Sequence, residues 1–410
     1  MIFPFYSLGK RIFDQRTALF SSFFLVIHPY IRRFSADVLK ESTYLFFLAT
    51  GLWFAWRTLQ GEKRYPYLFI PLLSVLAYLV RSDGVEIFIA VFLYILFFKR
   101  FKNPWERWKV LFLLVFSSFL LFLPYLIHLR ETTGVWTLSR AKTIDWFLGL
   151  SGSATAIPLI ERLLFTVKEL NSEIFSIYHP LYLFLLGIGL WKRRASLFMG
   201  GEKFLLLCCG LHYGVLFLLV FNLTEWNVDG TVKAFHFSGR HVLPLLLFSM
   251  DWMGEGVLVL SGWIYKKIES IQFFHPMESK RKSLVVWGIL FILILALILP
   301  KTLKPQRYER LTEREAGLWM KAQWGSGLTL FTTVPRVAFY AEGQYERIDF
   351  EKDSMESIKT SMDQRGIPYL VIRKRESMME EVGKTLRRDF QVLQRFEGKG
   401  MEGVILYQKR

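Results

Sequence analysis

The sequence predicts an α-helical polytopic membrane protein with a small C-terminal α/β domain, and three observations predict it. Apolar runs that approach the roughly 20 residues needed to span a bilayer recur nine times before Pro300. Lys and Arg collect in the short connections on one side when those runs alternate. Beyond Pro300 the long runs stop, and charges of both signs mix with alternating helix and strand patterns.

Composition supports the same class. The 410 residues are 52% hydrophobic, 17% aromatic and 21% charged, with a formal net charge of +17. A nucleic-acid groove needs its cations on one soluble face, whereas here many flank apolar segments, as anchors of membrane spans do. Cys208 and Cys209 are adjacent in an apolar run. That placement supports neither a disulfide framework nor a thiolate metal site and reads as small core residues. The opening MIFPFYSLGKRIFDQR reaches basic residues before any long apolar core, so it reads as the tail of a helix rather than a cleavable signal peptide.

Taken in order, the apolar runs fall at about 17–31, 41–59, 66–80, 85–98, 109–129, 179–191, 203–223, 241–265 and 283–300. The pair around RSDG, at 66–80 and 85–98, fits two tilted spans or a re-entrant hairpin; either returns the chain to the same side. The basic stretches GKRIFDQR, EKR, KRFKNPWERWK, KRRAS and KK through ESKRKS then share one side, which the positive-inside rule makes the cytoplasm. The other side receives the gap 28–42, the RSDG turn, a large loop 130–178, the loop 224–240 and everything after Pro300. Within the large loop, residues 157–171 form an amphipathic helix with Leu159, Ile160, Leu163, Leu164, Val167 and Leu170 on one face. Such a helix lies in the membrane interface or packs as a lid on protein. The domains are therefore 1–300, transmembrane with about nine segments, and 301–410, an extracytoplasmic α/β domain. In the latter LTEREAGLWMKAQW and SMESIKTSMDQRG read as helices, and LTLFTTV, PYLVIRK and GVILYQK as strands.

Cations left on the outer side need a reason. They are Arg32, Arg33, Lys40, Arg81, Arg130, Arg140, Lys142, Lys233 and Arg240. Singly, each fits a snorkelling or helix-capping role; converging at the membrane face, guanidinium forks match the oxygens of a lipid-linked phosphate. The acidic residues on that side include Asp37, Glu41, Asp83, Glu86, Glu131, Asp145, Glu225 and Asp229, of which Glu41 and Glu86 begin apolar helices and suit helix N-terminal dipoles. His28, His236 and His241 lack metal-ligand spacing and read as structural histidines. Glycine-rich phosphate loops, serine-hydrolase elbows and zinc-binding helices are absent from the sequence.

Four stretches occur in a telling order: HPYIRRFSADVLKES, LAYLVRSDG, LPYLIHLRETTGVWTLSRAK and SGRHVLPLLL, each beside or within an apolar run. Together they resemble the bacterial membrane glycosyltransferases of the GT-C type, the group of protein O-mannosyltransferases and lipid A aminoarabinose transferase. The resemblance spans roughly residues 1–300. It implies a sugar donor on polyprenyl phosphate, no other cofactor, and transfer with inversion to a lipid, glycan or protein hydroxyl at the outer face of the bacterial cytoplasmic membrane. A carboxylate serves such enzymes as general base while cations stabilise the departing phosphate.

The resemblance places the key acidic residue of the family in a first outer loop, upstream of Met1, so the catalytic base is expected there and the activity of these 410 residues by themselves is open. Among matching residues, Arg240 and Arg81, then Lys142 and Arg140, are the donor-phosphate candidates, with Glu41, Asp83 and His241 as outer-face support. No metal ligand set is assigned, and a divalent metal stays open. Two other readings are a lipid-linked glycan transporter or flippase and an inactive family member. A transporter is expected to show internal repeats and paired broken helices, which the sequence does not.

Overall fold

A computed structural model of the chain describes residues 1–36, 40–61, 67–138, 157–226, 232–234, 237–271, 278–303, 311–350, 353–398 and 403–410. The chain divides into two compact units, Met1–Leu303 and Lys304–Arg410.

The first unit is helical: α1 (Ile2–Ile12), α2 (Gln15–Ile27), α3 (Pro29–Ala36), α4 (Glu41–Leu59), α5 (Phe69–Val80), α6 (Val85–Phe97), α7 (Pro104–Thr133), α8 (Leu159–Tyr178), α9 (Pro180–Arg193), α10 (Gly200–Asn222), α11 (Leu243–Glu269) and α12 (Ser279–Leu303). Each of the nine apolar runs is helical over most of its described length, but 17–31 is divided between α2 and α3 at His28. By length and composition, α7, α10, α12 and α11 with the turn before it can cross a membrane alone; the bent pair α8 and α9 makes a possible fifth span. The other runs give shorter or more polar helices. At 1.5 Å per residue, α5 and α6 each reach only about 20 Å of the roughly 30 Å hydrocarbon core.

Local chemistry sets the ends. The Asp14 carboxylate accepts from the backbone N–H groups of Arg16 and Thr17 at 2.7 and 2.9 Å, starting α2. Asn103 caps α7 by accepting from Trp105 N–H, Pro104 occupies the first turn, and Gly134 stops the helix at φ 76°. Between α8 and α9 the axis bends by 97° at His179 and Pro180, because proline cannot continue the hydrogen-bond ladder of α8. The amphipathic helix in the large loop is α8, longer than the sequence predicts. Leu159, Ile160, Leu163, Leu164 and Val167 are exposed and only Leu170 of that stripe is buried. A lid packed on protein through this stripe is therefore not what forms, and the bare face suits a membrane interface.

Helix α11 is the axis of the unit, with 83% of its most apolar stretch buried, against 17% for α7 and 22% for α12. Small residues let its neighbours in: a Cβ on Gly189 of α9 would lie 1.8 Å from the Trp252 carbonyl oxygen, and one on Gly256 2.0 Å from that of Leu185. Two of the buried polar groups on α11 are paired across helices: Glu255 accepts from Thr17 at 3.0 Å, and Trp252 donates its indole N–H to Glu202 at 3.1 Å. Glu202 also takes two N–H groups of Arg193, at 3.1 and 2.7 Å. Cys208 is buried in the same core, as its apolar setting suggests.

Connections sort to two ends. At one, Arg11 reaches Gln60, Lys99 donates to Thr58 and Tyr67, and Tyr94 donates to Gly200. At the other, Arg32 donates to the Thr302 carbonyl, Thr302 to that of Ile27, and Tyr78 to that of Leu138.

The second unit is a three-layer α/β structure. It contains α13 (Leu311–Trp324), β3 (Thr329–Thr332), α14 (Pro335–Tyr340), β4 (Gln344–Arg347), α15 (Met355–Arg365), β5 (Tyr369–Arg373), α16 (Lys374–Ser377), α17 (Glu380–Asp389), β6 (Phe390–Phe396) and β7 (Val404–Lys409); β1 (Thr224–Trp226) and β2 (Val232–Ala234) are a hairpin of the first unit. The sheet order is β4-β3-β5-β7-β6, parallel among the first three strands and antiparallel thereafter. Alternate residues feed two cores: Leu330, Val371 and Leu406 face α13 and α14, while Phe331, Leu370 and Tyr407 face α15 and α17. Both helices and all three strands read from the sequence are present; β4 and β6 are additional.

Candidate functional site

Four helices, α4, α5, α6 and α10, and two 3-10 turns converge at one end of the first unit. Helix α5 ends at Arg81, and the chain folds back through a 3-10 turn, Ser82–Gly84, into α6. The fold-back requires glycine: a Cβ on Gly84 would lie 2.3 Å from the backbone of Ala77 and Tyr78. Ser74 secures it by donating to the Gly84 carbonyl at 3.0 Å. Arg81 thereby points inward, only 8% exposed. It donates to Asp83 at 2.6 Å and to the Arg240 carbonyl at 3.4 Å, and lies over the Tyr44 ring at 5.1 Å.

Glu41 opens α4 and is buried. Its Oε1 lies 3.8 Å from Arg81 and 4.0 Å from Arg240, ion pairs without hydrogen-bond contact. Arg240 sits in a second 3-10 turn, Gly239–Val242, closed by a reciprocal bond between Ser238 and His241. Its side chain is 43% exposed, against 7% for Arg81. One guanidinium is enclosed and engaged; its neighbour is open.

The sequence reads Glu86 as a helix-start carboxylate and does not single out His212. The structure pairs them: His212 Nδ1 and Glu86 Oε2 are 2.7 Å apart, and His212 Nε2 lies 2.8 Å from the His241 carbonyl oxygen. The available signal was an ionisable residue inside the apolar run of α10, a rare and costly placement. Burial opposes the charge of Asp83, but the Arg81 guanidinium beside it, with His241 and His212 adding, holds its carboxyl down at about 2. Three buried polar atoms around this cluster, Glu41 Oε2, Tyr44 Oη and Glu86 Oε1, have no hydrogen-bond partner among the described residues. Such atoms cost about 1–3 kcal/mol each, so a fold tolerates few without a use for them.

Of the seven residues singled out from the sequence, Arg240, Arg81, Glu41, Asp83 and His241 come together. Arg140 and Lys142 lie outside the described residues, as do Asp37, Asp145, Asp229 and His236. Arg32 is engaged with Thr302, and Arg130 lies over Trp136 at 4.7 Å, so neither joins the cluster. Among the described residues, no group of three or more His, Cys, Asp or Glu is arranged to hold a metal ion.

Residues 1–128 match the sequence model of the family described as dolichyl-phosphate-mannose-protein mannosyltransferase. No curated protein matches the chain by sequence. Among solved structures, the crystal structure of ArnT from Cupriavidus metallidurans in the apo state is similar in fold, with a TM-score of 0.53 over 99% of this chain and 81% of that one at 9% identity. At that identity the likeness speaks for the fold and not for the substrates. The family match thus covers the N-terminal third of the chain, and the fold likeness extends along nearly all of it.

Proposed function

We propose that the first unit transfers a sugar from a polyprenyl-phosphate donor to a hydroxyl of a lipid, glycan or protein. The reaction takes place at the outer face of a bacterial cytoplasmic membrane, with the second unit on that side. The observation that carries this reading is the exposed Arg240 beside the enclosed Arg81 and Glu41. Support also comes from the matched family, whose description names a dolichyl-phosphate-linked sugar and a protein acceptor, and from the basic turns gathered at the opposite end of the helices.

In this reading Arg240 binds the donor phosphate. Its fork offers N–H groups to the negative charge that builds on the phosphate as the sugar leaves. Arg81 positions it: bonded to Asp83 and to the Arg240 carbonyl, it fixes the turn rather than meeting substrate. Glu41, at 4.0 Å, keeps the Arg240 guanidinium at the site mouth without consuming its donors. Arg140 and Lys142 remain candidates for a second contact. No described carboxylate is assigned as base, since Asp83 and Glu86 are committed to Arg81 and His212.

Transfer from a labelled polyprenyl-phosphate sugar in membranes tests the reading. Arg240→Ala is expected to abolish transfer while leaving membrane insertion intact, and unchanged transfer would remove the assignment. A labelled Arg240→Cys thiol and a reporter fused after Arg410 are both expected outside the cytosol; a cytosolic result for either overturns the sidedness.

A further inference from the structure

The second unit holds a feature that the proposed reaction leaves unused. Its sheet changes direction at β3. The connection through α14 sets β4 on one side of β3, and the next, through α15, crosses back to set β5 on the other. In open α/β sheets the carboxyl ends of two such strands part around a crevice, and ligands bind there.

The edge here is basic. Arg347 ends β4, Arg336 follows β3, Arg373 ends β5, and Lys374 and Arg375 come next. One carboxylate holds two of these guanidiniums side by side. Glu313 of α13, its side chain 7% exposed, accepts from Arg336 through Oε2 at 3.0 Å and lies 3.6 Å from Arg373 through Oε1. The strand ends are fixed to each other: Thr333 N–H donates to the Val371 carbonyl at 3.2 Å, and Glu376 accepts from the Thr333 hydroxyl at 2.5 Å and from Arg373 N–H at 2.9 Å. Arg336 and Arg373 nevertheless remain 46% and 39% exposed, so each keeps N–H groups in solvent.

We propose that this crevice binds a phosphate group, carried by a sugar or by a lipid head group, between Arg336 and Arg373. Glu313 and Glu376 offset two of the four guanidiniums at this edge, those of Arg336, Arg347, Arg373 and Arg375, and leave it net positive. Because the buried Glu313 carboxylate already orders the Arg336 and Arg373 side chains, little rotamer freedom is lost on binding. A phosphate monoester dianion brings three terminal oxygens and two negative charges to the N–H groups that Glu313 leaves in solvent. Lys374 is paired with Glu397 at 2.8 Å and stands aside.

The full chain in phosphatidylcholine nanodiscs tests this with two probes: equilibrium dialysis against labelled glucose 6-phosphate, and co-flotation with vesicles containing phosphatidate. Saturable binding of one probe is expected. It should weaken by about tenfold or more in Arg336→Gln/Arg373→Gln, less in Arg336→Lys/Arg373→Lys, and not at all in Arg240→Gln, which separates this site from the proposed donor site. Retention of glucose 6-phosphate assigns a sugar phosphate; capture by phosphatidate vesicles alone assigns a lipid head group. No saturable binding of either probe, or equal binding by a double Gln variant with the wild-type unfolding midpoint, overturns the proposal.

Discussion

His212 bridges two parts of the site: its Nδ1 meets Glu86 Oε2 at 2.7 Å while its Nε2 meets the His241 carbonyl at 2.8 Å. A carbonyl only accepts, so Nε2 carries a hydrogen and one further proton lies between Nδ1 and the carboxylate. The pair is neutral as a whole whichever partner holds that proton, which makes it tolerable within a helix bundle. It also ties α6 and α10 to the turn that bears Arg240.

His212→Ala removes the tie and strands Glu86. Stability in detergent should fall by about 3–5 kcal/mol, and transfer by about 10- to 100-fold through displacement of the Arg240 turn. His212→Gln, which keeps a donor for the His241 carbonyl, should retain more transfer than His212→Ala. Equal losses in both variants would remove the positioning role.

The two arginines should separate by readout. Arg81→Ala leaves Asp83 and Glu41 without their buried partner and should lower the unfolding free energy by about 3–5 kcal/mol. Arg240→Gln, at an exposed position, should stay within about 0.5 kcal/mol of wild type while donor binding is lost. Thermal unfolding set beside a donor-binding titration checks both.

Close helix packing around α11 predicts a steric contrast. Gly189→Ala places a methyl group 1.8 Å from the Trp252 carbonyl oxygen, whereas the Cβ of Gly187→Ala, on the same helix, meets nothing within 4 Å. The first should yield little monodisperse protein and the second a normal yield, read by size-exclusion chromatography.

Asp83 supplies the pH dependence. Its carboxyl is held at about 2 in the folded protein against an ordinary 3.8. A depressed folded value contributes stability that is fully present above the ordinary value and disappears as pH falls through the folded one. The stability difference between wild type and Asp83→Asn should therefore shrink as pH drops from about 4 to about 2, and stay constant between about 5 and 7. Urea titrations at stepped pH measure it.

Much of the fold was legible because membrane helices and strands announce themselves locally. The run at 41–59 matches α4 residue for residue, and LTEREAGLWMKAQW matches α13. The strand β4 escaped because QYER is mostly exposed and lacks an apolar alternation. The site was half legible. Arg81, Asp83 and Arg240 stood out as charges beside apolar runs, but His212 lay inside a run, where nothing in the spacing says which helix it faces.

The sequence alone determined the membrane class, the nine helical runs, the separate α/β tail and the residues carrying charge at helix ends. Those properties follow from hydrophobic length and local charge, which need no partner to act. Only the tertiary structure decided that Arg81 is enclosed and Arg240 open, that Glu86 belongs to His212, and that Glu313 holds two arginines at the β3–β5 crevice. Each of these depends on which side chains from distant segments share a few ångströms, and the glycine-mediated approach of helices and the crossing of strands set that proximity.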